Sequence, residues 1–200
     1  NQFGTATITL IVTDGNSTSA SDTFLLTVSA RADTASITNA STNEDTQTTS
    51  GLVVSRNAAD GTEVTHFKIT AINNGQLFQN NGTTAITVNS FITFAQANAG
   101  LKFTPTANFN GSGSFQVQAS TSAVDAGLGG SAVTAAITVN PVNDGPSFVV
   151  GPNRSHPAGT NSAQSFADGA TAIDDGDAGV TQAMTFNVSN NNSGLFSVQP

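Results

Sequence analysis

This sequence predicts an all-β fold of tandem Greek-key β-sandwich domains, on three observations. Alternating strand patterns recur every 8 to 15 residues with Gly/Asn turns between them, and no 11-residue window keeps the apolar spacing of a helix. A pattern met at the start of the chain returns later in degenerate form. The two valines that close these copies, Val28 and Val139, stand 111 positions apart, the length of one sandwich domain.

The elements follow in chain order. Gly4 opens a Thr-rich alternating strand, Thr5-Ala-Thr-Ile-Thr-Leu-Ile-Val, and after a polar loop Asp22-Thr-Phe-Leu-Leu-Thr-Val closes the hairpin and runs into a linker ending at Asp33. Strands are then expected at 35–40, 51–55, 65–72, 76–78, 101–104, 113–119 and 132–140. The last two repeat the opening hairpin, with Ser112-Gly-Ser-Phe-Gln-Val-Gln-Ala and Val133-Thr-Ala-Ala-Ile-Thr-Val leading to Asp144. Asn74-Gly75 and Asn81-Gly82 offer the positive φ angles that tight hairpins demand. Phe67, Phe78, Phe91, Phe94, Phe103, Phe109 and Phe115 are the expected core, each supplying roughly 1.5 to 3 kcal/mol if fully buried. A third segment opens with Pro146-Ser-Phe-Val-Val, crosses a Pro/Gly/Asn loop at 151–162, and alternates again over Ala183-Met-Thr-Phe-Asn-Val-Ser. The organisation expected is therefore a closing hairpin at 1–33, a complete domain at 34–144 and the opening part of another at 145–200, an excerpt of a longer array.

Composition narrows the function. Thirteen Asp and Glu stand against five Lys and Arg, a net charge of −8 in a chain with 9% charged residues. Clustered bases for phosphate contacts are missing, so nucleic acid is not an expected partner. Cysteine is absent, which removes disulfides and thiolate metal sites. Neither a signal-peptide pattern nor an apolar run near 18 residues occurs, so no membrane insertion is expected of this segment. The only two histidines, His66 and His156, read as a strand residue and a loop residue rather than a triad or a zinc site. Gly127-Leu-Gly-Gly130 precedes a strand and reads as a hairpin turn, not a phosphate loop. No catalytic residue and no organic cofactor is expected.

The acids are unevenly placed. Between Val64 and Val124 there is none, and none follows Asp177. They fall instead on Glu44-Asp45, Asp60 and Glu63, on the linker residues Asp33 and Asp144, on Asp125, and on Asp174-Asp175-Gly-Asp177. Three carboxylates within four residues repel one another unless a counter-charge intervenes, and hard oxygen ligands in loops suit calcium. Turns and caps are the ordinary alternative for each acid taken singly.

Three stretches carry a resemblance: Asn43-Glu44-Asp45, then Phe103-Thr-Pro-Thr-Ala-Asn-Phe-Asn-Gly111, then Val139-Asn-Pro-Val-Asn-Asp144. Together they resemble the cadherin-like, immunoglobulin-like tandem repeats of giant bacterial surface and adhesion proteins, over residues 34–144. The resemblance implies calcium at domain junctions, carried onto Glu44, Asn143, Asp144, Asp174, Asp175 and Asp177. The third copy departs from the pattern, with Ser155-His-Pro-Ala where the second has Glu44-Asp45; the first linker lacks the Asn-Asp pair, so the first junction is expected to bind calcium weakly or not at all. The implied protein is secreted or on a bacterial surface, its partners being neighbouring repeats and a cell-surface protein or glycan. Two alternatives remain: a carbohydrate-binding sandwich, for which Phe alone would serve as the platform, and a fibre in which identical chains exchange strands.

Overall fold

The computed structural model describes residues 2–157, 159, 165, 167–177, 179, 181–192 and 194. Its fold is all-β with one short helix, and chain contacts divide it into two units at Asn140 and Pro141.

The first unit begins with a hairpin, β1 (Gly4–Thr13) against β2 (Ser19–Val28), in unbroken register from Gly4 opposite Val28 to Thr13 opposite Ser19. Its turn is closed by Asp14, whose Oδ1 accepts from the amides of Asn16 and Thr18 at 2.9 Å each. After the linker come β3 (Ser36–Ile37), β4 (Ala40–Asn43), β5 (Val54–Ser55), β6 (His66–Asn73), β7 (Gly75–Phe78), β8 (Ala85–Ile86), β9 (Phe91–Thr93), α1 (Phe94–Asn98), β10 (Lys102–Pro105), β11 (Gly111–Ser120) and β12 (Leu128–Asn140). One five-stranded sheet runs β4-β12-β11-β6-β9 and a three-stranded sheet runs β10-β7-β8. Every pairing is antiparallel except β12 with β4.

The two sheets share one core in a sandwich-like arrangement. Phe67, Ile69, Phe115, Val117 and Ile137 from the larger sheet and Leu77, Ile86 and Phe103 from the smaller belong to one buried cluster. Of the seven phenylalanines expected there, Phe67, Phe103 and Phe115 are fully buried, and Phe94 and Phe109 pack against the cluster half-buried. Phe78 and Phe91 are also only half-buried, because Leu77 and Ile92 occupy the inward positions beside them. Register decides this: Leu77 lies opposite Phe103 and Ile92 opposite Phe67, and side chains facing each other across a ladder share a face.

Helix α1 was not legible in helical spacing because it is a single turn. Thr93 caps it: its Oγ1 accepts from the Gln96 amide at 3.3 Å while Gln96 Oε1 accepts from the Thr93 amide at 2.8 Å. Each Asn-Gly pair uses one positive φ, at Asn74 (60°) and at Gly82 (72°). Gly75 is required for a different reason, since a Cβ there would overlap the Phe103 ring and the Thr104 carbonyl.

The second unit contains β13 (Ser147–Val150) and β14 (Ala170–Asp174), an antiparallel pair in which Ser147 faces Asp174. The predicted loop is loop from Gly151 to Pro157, with residues 158 and 160–162 outside the described residues. The strand expected over 183–189 is not one: residues 181–192 carry no strand. A strand needs a neighbour to receive its amides and carbonyls, and none of the described residues pairs with this stretch.

Removing the ring of Phe103 by Phe103→Ala should cost about 3 to 5 kcal/mol in urea denaturation, with a clearly smaller loss for Phe78→Ala. Equal losses would contradict the register described.

Candidate functional site

Acids meet the linker backbone at two places, near Asp33 and near Asp144. In the second unit, β13 and β14 bring the linker ending in Asp144 against the loop after Asp174. The approach is close enough that a Cβ on Gly176, which has φ 89°, would lie 2.7 Å from the Gly145 carbonyl oxygen. The Asp144 amide donates to Asp177 Oδ1 at 2.7 Å. Asp177 Oδ2 accepts from the Gln182 side chain, whose Nε2 also donates to Asn143 Oδ1 at 2.8 Å. Asp175 accepts twice, Oδ1 from the Asp177 amide at 3.3 Å and Oδ2 from the Gln182 amide at 2.6 Å. Asn143, Asp144, Asp175 and Asp177 are thus brought together around Gln182. Asp174 is exposed and serves its own turn, accepting from the Gly176 amide at 2.9 Å.

Gln182 was not foreseen, and a glutamine in an Asn/Gln-rich chain carries no mark that would single it out. Its donors and the neighbouring amides supply the positive ends of dipoles to carboxylates that would otherwise repel. Amide donors therefore engage the carboxylates that the sequence left without a base beside them.

The first linker is built the same way. The Asp33 amide donates to Asp60, at 3.0 Å to Oδ2, the Thr34 carbonyl accepts from Asn57 Nδ2 at 3.0 Å, and Thr34 Oγ1 accepts from the Ser131 amide at 2.9 Å. Gly129 and Gly130 pass directly over this linker, where a Cβ on either would collide with the backbone of Ala32, Asp33 or Thr34. The Gly127-Leu-Gly-Gly130 stretch therefore does two things: Asp125–Gly127 forms a 3-10 turn and the last two glycines make room for the linker. Linker amide and accepting acid are 27 residues apart in the first case and 33 in the second, so no fixed spacing marks the device. Beside Asp60, the Gly61 amide donates to Glu63 Oε2 at 2.8 Å, which holds that carboxyl below its ordinary value of 4.5.

Glu44 belongs to the first unit. It follows β4, is only 4% exposed, and its amide donates to the Asn140 carbonyl at 2.9 Å, at the end of the sheet from which the chain leaves. Its neighbour Asp45, at φ 55°, accepts from the Asn108 amide at 3.0 Å. Two of the stretches that carry the resemblance, Asn43-Glu44-Asp45 and the Asn-Phe-Asn-Gly turn, are therefore in contact with each other.

Among the described residues no three His, Asp or Glu side chains are grouped so as to hold a metal ion as they stand. His66 shares a 2.8 Å hydrogen bond with Thr65 Oγ1 on β6, and His156 sits in an exposed loop. Asp125 pairs with Lys68 at 2.7 Å. No helix among the described residues is long and apolar enough to cross a membrane. Compared with known proteins, the sequence matches no family model and no curated protein.

Asp177→Ala should strip the Asp144 amide of its acceptor and speed its hydrogen exchange, while Asp60→Ala should do so at Asp33; unchanged exchange in both would refute the device. Glu63 should titrate below an ordinary glutamate by NMR. A carboxyl with a lowered folded value stabilises above the ordinary pKa and loses that contribution as pH falls through the folded value. Any pH-dependent loss from Glu63 should therefore appear on the acid side of 4.5 and vanish in Glu63→Gln.

Proposed function

We propose that this chain is a non-enzymatic structural module, a spacer or stalk in an extracellular array of β-sandwich repeats similar to the cadherin-like repeats of bacterial surface proteins, with calcium taken up at the Asp144 linker. The observation that carries this reading is the recurrence of one device at two linkers: a linker aspartate whose amide is received by an acid of the following domain. A catalytic centre has no reason to recur with the repeat, whereas a joint does.

The donor set fits a hard divalent cation. Asn143 Oδ1 and the carboxylates of Asp144, Asp175 and Asp177 offer oxygen only, the preference of calcium, which would supply a charge that several carboxylates share. The carboxylates of Asp175 and Asp177 now accept from Gln182 and from backbone amides, so binding requires them to exchange some of these donors for the ion. Asp174, engaged in its own turn, is the least suited of the expected ligands. At the first linker the Asp33 amide is received by Asp60, and Ala32 stands where the second linker has Asn143. Weaker uptake is expected there.

Calorimetric melting of the 200-residue chain with calcium and with chelator tests the reading. Calcium at a hundredfold excess over its dissociation constant should add about 2.7 kcal/mol of stability to the domain that binds it. The gain should disappear in an Asp175→Ala, Asp177→Ala variant and survive in Asp174→Ala. No shift at millimolar calcium would remove the ion from the reading and leave the linker held by amide-to-carboxylate bonds alone.

A further inference from the structure

The stretch of chain that follows Asp33 and the stretch that ends at Asn140 lie side by side and point the same way. Strand β4 pairs in parallel with the end of β12, from Ala40 opposite Ile137 to Asn43 opposite Asn140. The same offset of 97 residues continues backward past the ladder: Asn39 Oδ1 accepts from the Ala136 amide at 2.8 Å, and Thr34 Oγ1 accepts from the Ser131 amide at 2.9 Å. Between those two bonds β3 takes β5 as its partner, Ser36 opposite Ser55 and Ile37 opposite Val54, so side-chain oxygens hold the two stretches together where the backbone pairs elsewhere. At the other end the Glu44 amide donates to the Asn140 carbonyl at 2.9 Å. One seam therefore runs along 34–44 and 131–140.

The seam is dry on its inner side. Ala35, Ile137 and Val139 are buried in the core cluster, and Ile37 and Ala40 pack against it. Exclusion of water on that side strengthens hydrogen bonds and removes the competitor that would replace them. Just before Thr34 the chain is held again, by the Asp33 amide on Asp60 and by Gly129 and Gly130, which lie against the linker backbone. Direction then decides how the seam meets a pull. Tension applied before β3 and after β12 drags two parallel strands in opposite directions along their common axis, so every bond across the seam is strained at once. An antiparallel hairpin pulled at its open end gives way differently, each pair opening before the next is strained.

We propose that residues 34–140 form a tension-bearing element, in which the seam between 34–44 and 131–140 must break before the domain extends. The lifetime of a domain under force is set by its unfolding rate, so a few bonds strained together count for more than their share of the equilibrium stability. Thr34 and Asn39 are the positioning residues of this device, since each extends the seam with a side-chain acceptor. The proposal rests on the structural-module part of the functional reading and needs no cation.

The absence of cysteine lets thiol handles be placed at chosen sites. Optical-trap pulling of the 200-residue chain in chelator, with handles on the exposed positions of an Arg31→Cys, Val142→Cys variant, shears the seam. It should give one abrupt rupture at a force several-fold above that of a Ser112→Cys, Val142→Cys variant, in which the same domain is opened from the end of the hairpin where Ser112 faces Thr138. This comparison leaves the seam itself unaltered. Thr34→Val and Asn39→Ala should each make shear rupture at constant force about fivefold faster, with little change when the hairpin is unzipped. Equal forces in the two geometries, or a shear lifetime unmoved by both substitutions together, would overturn the proposal. A high shear force without any calcium effect on melting would refute the cation reading and leave this one standing; a calcium shift with equal forces would do the opposite.

Discussion

A β-strand satisfies none of its ladder hydrogen bonds by itself, and where each strand finds neighbours governs the rest of this structure. Strand β6 has β11 on one edge and β9 on the other, with the smaller sheet across its inner face. Phe67 and Ile69 can therefore leave water completely. Phe186 and Val188 have the same alternation but pair with no strand among the described residues, and they are 48% and 63% exposed. Period-two patterning states which face a strand would bury, but pairing decides whether there is a strand at all.

Placement of the hairpins follows from the same constraint. β11–β12 lies inside its sheet, with β4 joined in parallel to the outer edge of β12, and the sheet gains an aromatic inward side chain in Phe115 opposite Ala135. In β1–β2 the ring stands on the other strand, Phe24 facing Ile8, and the pair is bulkier than Phe115 with Ala135. Both hairpins carry apolar side chains on one face, which are buried in β11–β12 and largely exposed in β1–β2.

At the linkers the governing interaction is electrostatic. In a chain with few bases, carboxylates cannot rely on Lys or Arg, and amide donors take their place: the Asp33 amide on Asp60, the Asp144 amide on Asp177, and Gln182 on Asp175 and Asp177. Hydrogen bonds to an ionised group contribute about 1.5 to 3 kcal/mol when well formed, less where water competes. Glycines with no room for a Cβ, Gly129, Gly130 and Gly176, let the backbones approach closely enough to make these contacts.

The sequence by itself determined the all-β class, the two repeated hairpins at 4–28 and 111–139, most strands of residues 34–140, and the uneven placement of the acids along the chain. These are local properties: alternation, turn residues and composition act within a few positions. Only the tertiary structure decided that Leu77 and Ile92 rather than Phe78 and Phe91 face inward, because inwardness is set by the partner strand. It alone joined Asp45 to Asn108, gathered Asn143, Asp175 and Asp177 around Gln182, and left Asp174 to its own turn. Contacts between residues tens of positions apart depend on how whole strands are stacked, and side-chain periodicity carries no record of that.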